Sequence, residues 1–264
     1  AEELKAWSSQ LQSSKKMLII LEKKFLELPQ GGTAVGSGIN AHKQFAKYFS
    51  QELTKLYGSK FIPSNNFYHE LSAQDCSVQL SGELKNIAVT LMKISNDLRW
   101  MNSGPLAGLS EIELKALQPG SSIMPGKVNP VIPEAVAMAS ADVIGNDVTI
   151  TVAAQSGSFQ LNVMLPVIAY NLLKSINLLS GSMDVLSKKA IRTFKVNNTN
   201  LEKSLSKNPI LVTALNPIIG YEKAAAIAKK AYKENRPIID VAAEETDLTK
   251  AKLIKLLNPS KLSN

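Results

Sequence analysis

The chain has 264 residues, of which 45% are hydrophobic and 20% are charged, with 14 Gly and 12 Pro. This composition is typical of a globular protein and excludes the collagen-like, low-complexity and disordered classes. The longest uninterrupted apolar stretch, residues 163–170, is far shorter than the roughly 20 residues that a transmembrane helix needs. We therefore expect no membrane span.

The cysteine count and the charge distribution indicate the compartment of the protein and the kind of surface that its excess charge forms. The single cysteine, Cys76, cannot form a disulfide within the chain, which favours a reducing, cytoplasmic compartment. The net charge is +8, but residues 1–180 carry 15 Lys and Arg against 14 Asp and Glu, whereas residues 181–264 carry 15 against 8. Because these are mostly lysines spread along helical faces, we interpret them as a solvated surface and not as a nucleic-acid site.

Helical spacing begins almost at the first residue. A stripe with alternating steps of four and three residues, apolar except for Ser14, predicts a helix that ends before Pro29. The stripe consists of Trp7, Leu11, Ser14, Leu18, Leu21, Phe25 and Leu28. The chain starts at Ala1 without methionine or a capping residue, and we interpret this start as truncated.

The same spacing continues through most of the chain. Further helices are predicted near residues 45–56, 74–101, 131–155 and 160–192, with Gly- and Pro-rich loops between them. Residues 148–152 are all β-branched and in isolation would indicate a strand, but the helical period of the surrounding segment predicts a helix. The helices near 131–155 and 160–192 are apolar or small on most faces, which predicts burial between subunits.

Shorter helices near residues 220–234, 238–244 and 250–257 follow and carry most of the excess lysine. Long helices with short connections predict an all-α fold, a long-helix bundle with a small C-terminal helical domain. We place the bundle domain at residues 1–198 and the C-terminal domain at residues 199–264.

The loop at residues 119–130 is the strongest candidate for chemistry. Three prolines and two glycines among twelve residues expose backbone N–H groups that can bind an anion. The hydroxyls of Ser121 and Ser122, the ammonium of Lys127 and the carboxamide of Asn129 add the donors that a carboxylate requires. The alternative interpretation is a surface turn with incidental polar residues.

The sequence of residues 120–130, Gly-Ser-Ser-Ile-Met-Pro-Gly-Lys-Val-Asn-Pro, resembles the signature loop of the fumarase/aspartase superfamily. These enzymes are lyases that add to fumarate or eliminate from its adducts. Other segments that resemble the superfamily are residues 31–36, 91–99, 144–147, 161–163, and 212–217 with 220–221. Trp7, residues 31–40 and residues 212–225 are most similar to class II fumarase, whereas residues 131–134 and 159–164 are similar to some fumarases and to aspartase.

The resemblance implies the reversible hydration of fumarate to L-malate, by anti addition of water through an aci-carboxylate intermediate, without metal or organic cofactor. Ser121 matches the catalytic base on a mobile loop. Ser122, Lys127, Val128 and Asn129 match positions that bind the substrate carboxylates. Glu134 matches the acid that orients a catalytic histidine. In the family, this histidine belongs to a segment upstream of the position that Ala1 matches.

Neither His42 nor His69 matches the family's catalytic histidine, and we expect local surface or capping roles for both. The resemblance also implies a homotetramer with active sites shared among three subunits. The chain corresponds to the central and C-terminal domains of the family without the N-terminal domain, so we expect it to be inactive alone. Two alternatives stay open: aspartate ammonia-lyase, and a non-catalytic helical oligomerisation module.

Overall fold

The computed structural model describes residues 2–104, 106–124 and 126–259. Its helices are α1 (Glu2–Lys24), α2 (Phe45–Tyr57), α3 (Phe67–Ser72), α4 (Asp75–Met101), α5 (Val131–Ala154), α6 (Leu165–Leu186), α7 (Asn198–Ser206), α8 (Asn216–Ile219), α9 (Tyr221–Glu234), α10 (Ile238–Glu245) and α11 (Lys250–Leu256). A π-helical turn, Ser187–Ile191, continues α6, and a 3-10 helix, Pro209–Leu215, precedes α8. The prediction of an all-α fold built on long helices is confirmed.

Two short strand pairs were not predicted. Strand β1 (Glu27–Leu28) pairs in parallel with β2 (Ile62–Pro63), and β3 (Ile112–Glu113) pairs antiparallel with β4 (Lys195–Val196). Each strand has two residues, which is too short for an alternating pattern to show in the sequence.

The helix α5 contains the β-branched residues 148–152, as predicted, whereas α6 begins five residues later than predicted, at Leu165 rather than residue 160. The reason is the buried side chain of Asn162, whose Nδ2 donates to the carbonyls of Ala153 and Ala154 at 3.0 and 3.1 Å. Its Oδ1 accepts from the Met164 N–H at 2.8 Å. Asn162 therefore joins the end of α5 to the start of α6 and holds the intervening segment as a turn.

The chain divides into two compact units. The first contains Ala1–Trp100 and Leu114–Phe194, and the second contains Met101–Glu113 and Lys195–Asn264. The domain limits that we expect from the sequence, 1–198 and 199–264, stay a prediction.

In the first unit, α1 lies antiparallel to α4. Lys93 Nζ lies 2.6 Å from Glu3 Oε1 near the start of α1, and Lys24 Nζ lies 2.6 Å from Gln79 Oε1 at its end. Trp7 is 4% exposed, and Lys93 Nζ lies 5.6 Å from the centre of its ring. The predicted stripe of α1 therefore packs its first aromatic residue beneath a cation of the neighbouring helix.

Polar contacts also fix α5 against its neighbours. The buried carboxylate of Asp147 on α5 accepts from Ser81 Oγ at 2.7 Å and from Lys85 Nζ at 2.6 Å, both on α4. On the other side, Asn146 Nδ2 donates to Ser175 Oγ of α6 at 3.1 Å. The pair α5 and α6 makes the most extensive helix–helix contact in the unit.

Helix α5 is long and apolar enough, by length and composition alone, to cross a membrane, with a mean hydropathy of 1.2 in its most apolar window. The criterion of an uninterrupted apolar run misses it because polar residues interrupt the sequence. One such helix is weak evidence for a span, since core helices of soluble proteins pass the same test. In α5, Asp142 and Asp147 form ion pairs with Lys174 and Lys85.

The second unit has its own apolar core, formed by the 3-10 helix with α9, α10 and α11. Its buried members are Leu211, Val212, Leu215, Ala224, Ile227, Ala231, Ile238, Val241, Ala242, Leu253 and Leu257.

Candidate active site

The loop predicted to carry chemistry lies in the first unit, directly before α5, and its two ends are hydrogen-bonded to each other. The Gly120 N–H donates to the Lys127 carbonyl at 2.9 Å. The Asn129 Nδ2 donates to the Gly120 carbonyl, also at 2.9 Å. We call this pair of bonds the loop neck, because both backbone groups of Gly120 are held by the far end of the loop.

The neck requires glycine at position 120. A Cβ atom there would lie 2.2 Å from the Lys127 carbonyl oxygen and 2.6 Å from its carbonyl carbon. Both are backbone atoms, so they cannot move aside without opening the neck. The second glycine of the loop, Gly126, has a φ of +80°, a conformation that L side chains rarely adopt.

The hydroxyl of Ser121 faces two backbone donors. Its Oγ accepts from the N–H groups of Ile123 and Met124, each at 3.2 Å. Donors aimed at an oxygen favour negative charge on it. Such donors would stabilise the alkoxide form that the predicted role of Ser121 requires.

The other loop residues predicted to bind carboxylates lie close to Ser121 along the chain. Ser122, Lys127 and Val128 are exposed, and Asn129 is half-buried. Ser121, Lys127 and Val128 line a cavity of about 540 Å³ together with residues 116–120. Clefts of this size hold small organic ligands, and the Lys127 ammonium would favour an anionic one.

Glu134 is half-buried in the first turn of α5, where its N–H donates to the Pro130 carbonyl at 3.1 Å. A carboxylate in the first turn is stabilised by the partial positive charge of a helix N-terminus. The structure therefore places Glu134 on rigid helix immediately after the loop, and its role toward a histidine stays a prediction.

Both histidines of the chain make local contacts. His42 Nδ1 accepts from the Gln44 N–H at 3.2 Å. The imidazole of His69 lies 3.0 Å from both Glu70 and Asp75, and these carboxylates, Asp75 foremost, raise the pKa of His69. Within the described ranges, no group of three or more His, Cys, Asp and Glu side chains is placed to hold a metal ion.

Sequence reasoning missed one function of Asn129. Its carboxamide was assigned to the substrate alone, whereas in the structure it closes the loop neck through Gly120. The two residues are nine positions apart in an irregular segment, and no periodic pattern reports such a contact.

Comparisons with known proteins agree with the resemblance of the loop to the fumarase/aspartase superfamily. A family model described as Lyase matches residues 1–145, and a model described as Fumarase C C-terminus matches residues 211–264. A class II fumarate hydratase of Pseudomonas aeruginosa is 61% identical over 260 residues, which cover 98% of this chain and 57% of that protein. The chain thus spans little more than half the length of this relative.

Solved structures share the fold. The fumarate lyase:delta crystallin of Brucella melitensis, bound to cobalt, superposes with a TM-score of 0.95 at 40% identity and covers 100% of this chain and 57% of that one. The recombinant class II fumarase of Schistosoma mansoni gives a TM-score of 0.92 at 35% identity, over 99% of this chain and 58% of that one. The chain therefore belongs to the lyase family and, within it, is similar to the class II fumarate hydratases.

Proposed function

We propose that this chain contributes the signature loop and helical core of a class II fumarase, which reversibly hydrates fumarate to L-malate. The observation that supports this most directly is the Ser121 hydroxyl, whose Oγ accepts two backbone N–H groups at 3.2 Å. Beside it, Lys127 and Val128 line the same cavity. The relatives that are named class II fumarate hydratase support the choice of substrate.

In the proposed reaction, Ser121 takes the proton from C3 of malate, and the electron pair left behind moves into the adjacent carboxylate. The resulting aci-carboxylate carries an extra negative charge. Its electron pair then forms the C2–C3 double bond of fumarate while the hydroxyl, protonated by the proposed histidine from outside these residues, leaves as water. Lys127, Asn129 and Ser122 would hold the carboxylates. Donors that meet the added charge stabilise the intermediate more than the substrate, which is what lowers the barrier.

The proposed enzyme also needs residues that these 264 positions do not supply. We propose that Glu134 orients a histidine from an upstream segment, and that three subunits of a homotetramer build each site. The residues that α5 leaves exposed support the assembly, because none of them is charged. Its exposed residues are Ala135, Met138, Ala141, Gly145, Val148, Thr149, Thr151 and Val152.

The direct test is turnover by the full-length protein that contains this chain. We expect malate to be converted to fumarate, measured by the ultraviolet absorbance of fumarate. Release of ammonia from aspartate without turnover of malate would identify an aspartate ammonia-lyase and overturn the proposal.

A second candidate concerns the chain by itself. It spans 57% of its Pseudomonas relative, and we propose that residues 1–264 alone form a helical assembly module without activity. Turnover of malate by the isolated chain at the rate of the full-length protein would refute this second proposal.

A further inference from the structure

The loop neck holds the peptide group directly before Ser121, the residue proposed as the base. The carbonyl that accepts from Asn129 Nδ2 at 2.9 Å belongs to Gly120, so it is part of the peptide group that joins Gly120 to Ser121. A peptide group is planar. Fixing its oxygen therefore fixes the direction in which the chain enters Ser121.

The other bond of the neck removes the remaining freedom of Gly120. Its N–H donates to the Lys127 carbonyl at 2.9 Å, and the backbone of Lys127 lies too close to leave room for a side chain at position 120. With both sides of Gly120 fixed, the Ser121 Oγ stands where the Ile123 and Met124 N–H groups reach it at 3.2 Å.

Asn129 has the chemistry to serve the neck and a bound anion together. The amide nitrogen of asparagine carries two hydrogens, and the bond to Gly120 uses one. The second could donate to a carboxylate bound beside the loop, although Asn129 itself is not among the residues that line the cavity of Ser121 and Lys127. One planar carboxamide would then set the distance between the substrate carboxylate and the oxygen that removes the proton.

We propose that Asn129 is the positioning residue of Ser121, holding the Gly120–Ser121 peptide in place through its carboxamide, in addition to any contact with substrate. The catalytic part of this proposal rests on the proposed function, in which Ser121 is the base. The neck itself can be tested without activity, so failure of one is distinguishable from failure of the other.

The first test is amide hydrogen exchange at Ile123 and Met124 in the substrate-free protein. Asn129→Ala should speed exchange at both amides by at least about tenfold, because the oxygen that they bond to is no longer held. The matched control is Asn200→Ala. Its Nδ2 also donates to a backbone carbonyl, that of Ser110 at 3.3 Å, and its loss should leave the loop amides unchanged.

The second test is a double-mutant cycle in the full-length enzyme. Gly120→Ala opens the neck without removing a polar side chain, so it and Asn129→Ala should each lower kcat by at least about tenfold. The double variant should lose little more than either single variant, because both remove the same restraint. A role limited to substrate binding would instead raise KM in Asn129→Ala and leave kcat nearly unchanged in Gly120→Ala.

Either of two results overturns the proposal: unchanged exchange at Ile123 and Met124 in Asn129→Ala, or losses of kcat that multiply in the double variant. If Gly120→Ala does not fold, kcat of Asn129→Asp is measured in place of the cycle, since this variant keeps the shape of the side chain and removes the donor. A loss of kcat below about threefold in Asn129→Asp would then overturn the proposal. Absence of malate turnover in the unsubstituted protein refutes the proposed function, and the exchange experiment still decides the neck.

Discussion

At the scale of single residues, the proposed role of Ser121 depends on which atoms face its hydroxyl. A free serine is too weak a base to remove a proton from carbon at neutral pH, and its oxygen needs donors that favour negative charge. The N–H groups of Ile123 and Met124 are such donors, at 3.2 Å each. The identity of residue 121 does not indicate in the sequence which donors meet its oxygen, because those donors are backbone N–H groups.

The first prediction concerns this hydroxyl. Ser121→Ala in the full-length protein should lower kcat for malate by at least about 100-fold, the usual contribution of a positioned base. The measurement is steady-state turnover, with circular dichroism to confirm that the helices are retained. Ser206→Ala, which removes a hydroxyl that donates to the Lys203 carbonyl of α7, is the control. A loss below about threefold would show that Ser121 is merely structural.

At the scale of the helices, packing in the first unit depends on a few polar contacts between otherwise apolar surfaces. Asp147 has an 8% exposed side chain and pairs with Lys85, which is 45% exposed. Removing the Lys85 cation leaves the Asp147 carboxylate shielded from water. The hydrogen bond from the Ser81 hydroxyl then remains, but it carries no positive charge. An uncompensated buried charge destabilises a fold far more than loss of a surface ion pair.

We therefore expect Lys85→Met to lower the free energy of unfolding by about 2–3 kcal/mol, below the full value for a buried pair because Lys85 is partly solvated. The control is Lys55→Met. Lys55 pairs with Glu52 on the surface of α2, with both side chains more than 60% exposed, and its loss should cost less than about 1 kcal/mol. Denaturant unfolding gives the free energy of unfolding of both variants. Equal losses would contradict the larger contribution that we assign to the pair of Lys85 and Asp147.

At the scale of the whole molecule, the exposed sides of α5 and α6 are rich in large apolar residues. The large apolar residues that these helices leave exposed are Met138, Val148, Val152, Leu165, Tyr170, Leu173, Ile176 and Met183. An extended exposed apolar face is typical of an interface between protein chains.

The assembly prediction follows from this face. We expect the protein to form a homotetramer in solution, and Val148→Asp to shift it toward smaller species, because a carboxylate in the interface would lose its hydration. Sedimentation velocity gives the distribution. Tyr232→Asp places the same charge on another exposed site, 79% accessible on α9, and should leave the assembly intact. An unsubstituted protein that sediments as a monomer would contradict the prediction.

Much of the fold could be predicted because its helices are long and their spacing is regular. The limits of α4 and α5 were predicted to within a residue or two, since apolar periodicity reports a buried helical face directly. Residues 148–152 were correctly predicted as helix despite β-branched side chains, because the period of the surrounding segment outweighed local propensity. The start of α6 was misplaced, since a contact of Asn162 with the end of α5 delays it.

By itself, the sequence determined the helical class, the order of the long helices and the loop of residues 119–130, because periodicity and residue type are local properties. Only the tertiary structure decided which atoms of that loop meet. The bond from Asn129 to Gly120 and the donors around Ser121 depend on the closure of an irregular segment. Such closure is set by backbone geometry and close packing, which leave no repeating signal in the order of residues.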